Sequence, residues 1–346
     1  MDKYKNKGYT GLTNLGNTCF LNACMQALNH TYELNEILLS NESISQSKKS
    51  LPEAIIITEW NNLREVMWKQ NGVVSPNRFV HFVRQLAAKK GRDLFTGYAQ
   101  NDLPEFLLFI VECMHNTLSK KVKLHINGNI ENNVDKLATC CYNMLQQTYA
   151  REYSEVMNLF YGIYVSELSR LDGSMVLSVS PEPFFLLDLE IPNNKTTTIY
   201  DCLDAFTQYE CLEGENAWFN ETTGKKENVK KRITFWSFPS ILIVTLKRFH
   251  GDGARKLQQS IDCPLDGFDL SKYVSGYNPK SYIYDLYAVC NHSGGTMGGH
   301  YTAFVKNATS EWIHFNDTHV ERHIPANKII SPKAYCFFYR KRESKP

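Results

Sequence analysis

Apolar residues along this chain change their spacing near position 160. In Thr18–Asn29, Phe20, Leu21, Cys24, Met25 and Leu28 fall at i, i+3, i+4 intervals, the signature of one buried helix face. Asn14-Leu-Gly-Asn-Thr18 before it suits a tight turn running into a helix start. Ile56, Trp60, Leu63 and Met67 predict a helix over Pro52–Trp68, and further helices are predicted over Pro76–Ala88 and Asp102–Leu118. Pro104 fits the first turn of the last of these. Beyond 160 the apolar residues come in short runs rich in Ile, Val, Tyr and Phe: Phe184–Leu189, Ile241–Leu246, Tyr282–Cys290, Tyr301–Val305, Glu311–Phe315 and Tyr335–Tyr339. A helical part followed by a strand-rich part predicts an α+β protein. Between 190 and 240, two polar linkers flank a short predicted helix, Thr198–Gln208, which reads as a projecting subregion.

Composition narrows the function classes. The chain has 346 residues, 43% hydrophobic and 21% charged, which is globular; its length alone suggests about two domains. A formal charge of +2, from 38 basic against 36 acidic residues, argues against nucleic acid or an anionic membrane surface as the main partner. Met1–Gly11 has no apolar signal region, and no apolar run approaches the about 18 residues a bilayer span needs. The ten cysteines are scattered without a C-x-x-C pair, so the expectation is a reduced, intracellular protein. The remaining question is whether one of those thiols does chemistry.

Cys19 sits at the junction of a turn and a helix start, where free backbone N–H groups and the helix dipole favour a thiolate. Cysteines are more often small buried hydrophobes, as Cys24 on the apolar face must be, but Cys19 lies outside that stripe. A thiol nucleophile needs a base, and the base an orienting partner. His300 follows a glycine-rich loop at the start of a strand, and Asn316-Asp317 ends another strand sixteen residues on. A hairpin of these strands brings Asn316 or Asp317 beside the His300 ring; an amide oxygen there fixes the imidazole tautomer, as in Cys-His-Asn proteases. His292, His314, His319 and His323 show no spacing that separates a role from a solvated surface. Metal binding fails on spacing, with no H-E-x-x-H and no C-x-x-C pair. The glycines at 294–299 lack the Lys-Ser/Thr of a phosphate loop.

Taken together these pieces resemble one family. Gly11-Leu-Thr-Asn-Leu-Gly-Asn-Thr-Cys19-Phe-Leu-Asn-Ala-Cys-Met-Gln-Ala-Leu28 is similar to the Cys box of the ubiquitin-specific proteases. Tyr287–Gly295, Gly298–Phe304 and Trp312–Asp317 resemble their His box. Gln100-Asn-Asp102-Leu-Pro-Glu105-Phe-Leu107 and Ile241-Leu-Ile-Val-Thr-Leu-Lys-Arg-Phe249 match two further motifs, all in family order from about Gly8 to Tyr339. The resemblance implies a papain-like fold of thumb (about 8–125), fingers (about 160–240) and palm, one catalytic domain over 8–342 with short tails at 1–7 and 343–346. It implies Cys19 as nucleophile, His300 as general base, Asn316 as third member with Asp317 as helper, and Asn14 as the oxyanion-hole side chain. It places Asp102, Glu105, Gly298, Gly299 and Tyr301 at the substrate, with glycine-bearing loops near Gly251–Gly253 and Ser293–Gly299 gating the channel.

The implied activity is hydrolysis of the (iso)peptide bond at ubiquitin's C-terminal glycine by a monomer, with ubiquitin and its conjugates as partners. A protease for another ubiquitin-like modifier, or a catalytically weak ubiquitin-binding homologue, is the alternative. Many family members hold a structural zinc in the fingers by two C-x-x-C pairs. The matching positions here, near Arg170, Gly173, Asn220 and Thr223, carry no cysteine, and Cys202 and Cys211 are wrongly spaced. The expectation is no cofactor and fingers packed around Trp218, Phe235, Trp236 and Phe238.

Overall fold

The computed structural model describes residues 2–41, 48, 50–69, 71–97, 99–192, 195–249, 256–295 and 298–343. Its first part holds β1 (Gly11–Leu12), α1 (Cys19–Asn29), α2 (Tyr32–Ser40), α3 (Ala54–Lys69), β2 (Val73–Val74), α4 (Asn77–Lys89), α5 (Leu103–Leu118), α6 (Asn133–Arg151) and α7 (Glu155–Phe160). The helices expected from the apolar spacing are there, each within a residue or two of its expected ends. Helices α2, α6 and α7 escaped the pattern. In α6 only Ala138 and Cys141 are buried, so the stripe is too narrow to read, although a capping box between Asn132 and Asp135 marks its start.

The second part runs β3 (Gly162–Arg170), β4 (Val176–Phe184), β5 (Leu186–Glu190), α8 (Ile199–Phe206), β6 (Glu210–Leu212), β7 (Trp218–Asn220), β8 (Lys225–Glu227), β9 (Val229–Ser237) and β10 (Ile241–Lys247). It continues through β11 (Phe268–Asp269), β12 (Ile283–Gly295), β13 (Gly298–Lys306), β14 (Trp312–Asn316), β15 (His319–Glu321) and β16 (Ala334–Lys341). The main sheet has the order β15-β14-β13-β12-β16-β10-β5, with β11 on β12. Its strands pair antiparallel except β5 with β10.

Both faces of this sheet are covered. Ile241 and Ile243 of β10 and Cys336 and Phe338 of β16 join the cluster beneath α1 and α5. Their alternating neighbours Leu242, Val244, Phe337 and Tyr339 join a second cluster with α8. Side chains of a strand point alternately to opposite faces, so two buried faces require the unbroken apolar runs seen in the sequence. Helix α1 is buried on every side and packs on β12, β13, β14 and α5. Its N-terminal residue, Cys19, meets the backbone of Tyr301 on β13, the strand that also carries His300.

A second sheet, β4-β3-β9-β6, and the separate β7–β8 hairpin fall within 160–240, the span expected as fingers, but β5 and α8 from the same span pack with the main sheet instead of projecting from it. Its packing differs from the expected aromatic cluster. Phe235 and Phe238 belong to the main-sheet cluster with Phe184, and Trp236 packs with Ala138, Cys141, Ile163 and Val165 under α6. Trp218 sits apart on the hairpin. The unrecognised helix α6 supplies the cover that Trp236 needs. Among the described residues no helix is long and apolar enough to cross a membrane.

Candidate active site

Cys19 is the first residue of α1 and is only 2% exposed. The turn before it depends on left-handed backbone at Gly16 (φ 88°) and Asn17 (φ 54°), which glycine and asparagine tolerate. The Asn14 side chain ties this turn together. Its Oδ1 accepts from the N–H groups of Gly16 and Thr18, both at 3.1 Å. The Thr18 hydroxyl accepts from the Leu15 N–H at 2.9 Å. Burial pushes the Cys19 thiol above its ordinary pKa; backbone hydrogen bonds from Tyr301, Phe20 and Cys19 itself pull the other way, and the Asp317 charge adds to the rise. The helix start alone does not make this resting thiol a thiolate.

His300 and Asn316 meet as the hairpin reasoning expects. Nε2 of His300 lies 2.6 Å from Oδ1 of Asn316. An amide oxygen only accepts, so Nε2 carries the proton and Nδ1 is left with the lone pair. The next residue, Tyr301, bonds the Cys19 sulfur through its backbone, which sets the start of β13 beside the thiol.

Asp317 takes a different direction from Asn316. It sits in the two-residue turn between β14 and β15 with left-handed backbone (φ 51°). Its Oδ2 accepts from Nδ2 of Asn14 at 2.9 Å and its Oδ1 from Nδ2 of Asn22 at 2.8 Å. Asn22, buried one turn beyond Cys19, also reaches the carbonyls of Leu12 and Thr13. The Asp317 carbonyl accepts from the Leu12 N–H at 2.9 Å. Gly11 is the reason the turn comes this close: a Cβ there would stand 2.7 Å from the Thr318 oxygen and 2.9 Å from that of Asp317. Asn22 lies off the stripe of Phe20, Leu21, Cys24, Met25 and Leu28, and nothing in the spacing marks it.

Next to the thiol lies a cavity of about 230 Å³ lined by Gln100, Asn101, Asp102, Phe249, His292, Gly295, Tyr301 and Tyr335. The Asp102 carboxylate accepts from the Tyr335 hydroxyl at 3.0 and 3.2 Å and from the Tyr301 hydroxyl at 3.4 Å. Burial nevertheless raises its pKa to about 6. The Gln100 side-chain amide bonds both the N–H and the carbonyl of Gly299. His292, bland in the sequence, is a buried wall of this cavity; burial first and the neighbouring Lys256 second lower its pKa to about 4. The Lys256 ammonium donates to Nδ1 of His292 at 3.1 Å and to its carbonyl. Of the expected substrate residues, Asp102 and Tyr301 line the cavity and Gly299 is bonded to its rim residue Gln100. Gly298 is exposed at the start of β13, and Glu105 is exposed on the first turn of α5, outside the lining. The Gly251–Gly253 loop and the tip at 296–297 lie outside the described residues.

The finger positions offer no zinc donors. Asn220 and Thr223 both donate to Glu227 Oε1, at 3.0 and 2.7 Å, and Cys202, on α8, is buried in the main-sheet cluster. Arg170 ends β3, Gly173 lies in the turn after it, and neither presents a thiolate, so these residues do not fit the ion.

A family model described as ubiquitin carboxyl-terminal hydrolase matches residues 10–339. The chain belongs to this family. Human ubiquitin carboxyl-terminal hydrolase 2 is 34% identical over 350 residues, covering 98% of this chain and 56% of the relative. The chicken protein of the same description is 33% identical and is covered over 93% of its length. The chain thus spans about half the length of several of the hydrolases it matches. Among solved structures, the SAGA Ubp8/Sgf11/Sus1/Sgf73 DUB module bound to ubiquitin aldehyde aligns at a TM-score of 0.74 and 22% identity, covering 99% of this chain and 71% of that one. That likeness identifies the papain-like α+β fold of the hydrolase family.

Proposed function

We propose that this chain is a deubiquitinating thiol protease. The observation that carries the reading is the 2.6 Å contact between His300 Nε2 and Asn316 Oδ1, which leaves Nδ1 with the lone pair of a base on the strand whose next residue, Tyr301, bonds the Cys19 sulfur through its backbone. Cys19 gives its proton to His300 and attacks the carbonyl carbon of ubiquitin's C-terminal glycine. The amide C–N bond breaks, the leaving amine takes the proton from His300, and a thioester remains. Water, deprotonated by His300, then releases the glycine carboxylate and restores the thiol. Asn14 is exposed and its amide carries a second N–H beyond the one given to Asp317; with the Cys19 N–H it stabilises the oxyanion. The cavity at Asp102 receives the narrow, basic tail of ubiquitin.

Two further features belong to this reading. The fingers work without zinc, because their side chains at the ligand positions are not zinc donors. The enzyme acts in a reducing compartment, supported by ten cysteines that are all free thiols. The experiment is labelling with ubiquitin carrying a C-terminal electrophile. The wild type should form one covalent adduct and Cys19→Ala none; an adduct that survives in Cys19→Ala, or a wild type that forms none, rejects the assignment.

A further inference from the structure

Arg248 is fully buried, and among the described residues no carboxylate is found with the groups that hold it. Instead its Nε donates to the Ala334 carbonyl at 2.7 Å, and its Nη1 donates to the carbonyls of Leu257 and Gln259 at 3.2 and 2.9 Å. Its own carbonyl accepts from the Leu257 N–H at 2.7 Å. Nη2 has no hydrogen-bond partner among the described residues, and the thiols of Cys202 and Cys263 are near enough to act on the guanidinium electrostatically. Burying a cation away from any anion costs several kcal/mol as a rule, so a chain that keeps one must gain something a neutral side chain would not supply.

The three carbonyls indicate what is gained. Ala334 precedes Tyr335, whose hydroxyl donates to Asp102. Leu257 follows Lys256, whose ammonium holds His292 by its ring and carbonyl. Phe249, the residue after Arg248, packs its ring on His292 at 5.6 Å and on Tyr335 at 6.0 Å. One planar guanidinium thus ties two other segments to its own: Tyr335 and Phe249, the neighbours of Ala334 and Arg248, line the cavity, and Lys256, the neighbour of Leu257, holds the cavity wall residue His292. A fork of five N–H donors in fixed geometry can bind carbonyls on two loops at once, which a lysine ammonium on a flexible stem does less well.

We propose that Arg248 is a positioning residue for the tail cavity: it fixes Tyr335, Phe249 and Lys256 so that Asp102 and His292 face an incoming substrate tail in one geometry. The inference rests on the protease reading, and it concerns recognition, since Arg248 touches neither the thiol nor His300.

The test compares wild type, Arg248→Lys and Arg248→Met with two reporters: full-length ubiquitin bearing a C-terminal aminocoumarin, and a short peptide aminocoumarin ending in Gly-Gly. Hydrolysis of ubiquitin aminocoumarin by the wild type checks the protease reading separately. Both variants should lose kcat/KM by the same factor on the two reporters, about tenfold or more for Met and less for Lys. The loss on ubiquitin should appear in KM. Alkylation of Cys19 by iodoacetamide should stay within about twofold of wild type, which shows that the thiol site is intact. Unchanged KM in folded variants overturns the proposal. So does a loss confined to full-length ubiquitin, or a parallel fall in alkylation, kcat and folded fraction, which would make Arg248 a general support of the fold.

Discussion

Nδ2 of Asn14 donates to Oδ2 of Asp317 at 2.9 Å, across 303 positions of sequence. The contact separates two neighbouring residues by role. Asn316 holds the proposed base, His300, while Asp317 holds Asn14, the proposed oxyanion-hole side chain, and, through Asn22, the helix that bears the thiol.

Asn14→Ala should lower kcat by about 100-fold, the usual cost of one oxyanion-hole donor. Asp317→Ala should approach that loss because it frees the Asn14 amide to rotate. The double variant should then be little worse than Asn14→Ala alone. Steady-state kinetics on a ubiquitin reporter measures this, and multiplicative losses would show that the two act independently.

Asn316→Ala should lower kcat by releasing the His300 ring, with KM nearly unchanged. Its loss should multiply with that of Asp317→Ala, since the two side chains serve different groups. A rate loss seen only in the Asp317 variant would instead make Asp317 the partner of His300.

Gly11→Ala should lower kcat without touching any reacting group. The added methyl stands 2.7 Å from the Thr318 oxygen, so the turn carrying Asp317 must move. A stability loss of about 1–3 kcal/mol is expected from such overpacking, read as a lower midpoint in urea. Unchanged kcat would mean that the turn moves without disturbing Asn14.

Asp102 links stability to pH. Its pKa is 3.8 ordinarily and about 6 when folded, so between those values the folded state binds the extra proton. Stability from this group is therefore present below about pH 4 and lost as pH rises through 6. Asp102→Asn should raise the melting temperature at pH 7.5, by a contribution on the order of 1–3 kcal/mol, with the gain shrinking towards pH 4. It should raise KM for ubiquitin at the same time. A melting temperature that falls at pH 7.5 would mean that the tyrosine hydrogen bonds outweigh the desolvation.

The resting thiol should alkylate slowly at neutral pH. Burial raises the Cys19 pKa, so the iodoacetamide rate should climb through the alkaline range. An inflection below pH 7 would reveal a preformed thiolate–imidazolium pair.

The sequence by itself determined the parts that local rules govern. Helical spacing located α1, α3, α4 and α5, and two-sided burial made β10 and β16 legible as unbroken apolar runs. The Asn14–Thr18 turn pointed to Cys19, and a hairpin sufficed to pair His300 with Asn316, because both lie within one short stretch of chain. Only the tertiary structure decided which way Asp317 points, that Asn22 meets it, that His292 is a buried wall, and that Asp102 sits between two tyrosines. It also placed Trp236 under α6 rather than in a finger cluster. These are contacts between polar or weakly patterned residues far apart in sequence. Their partners are chosen by how two packed layers meet, which neither periodicity nor composition records.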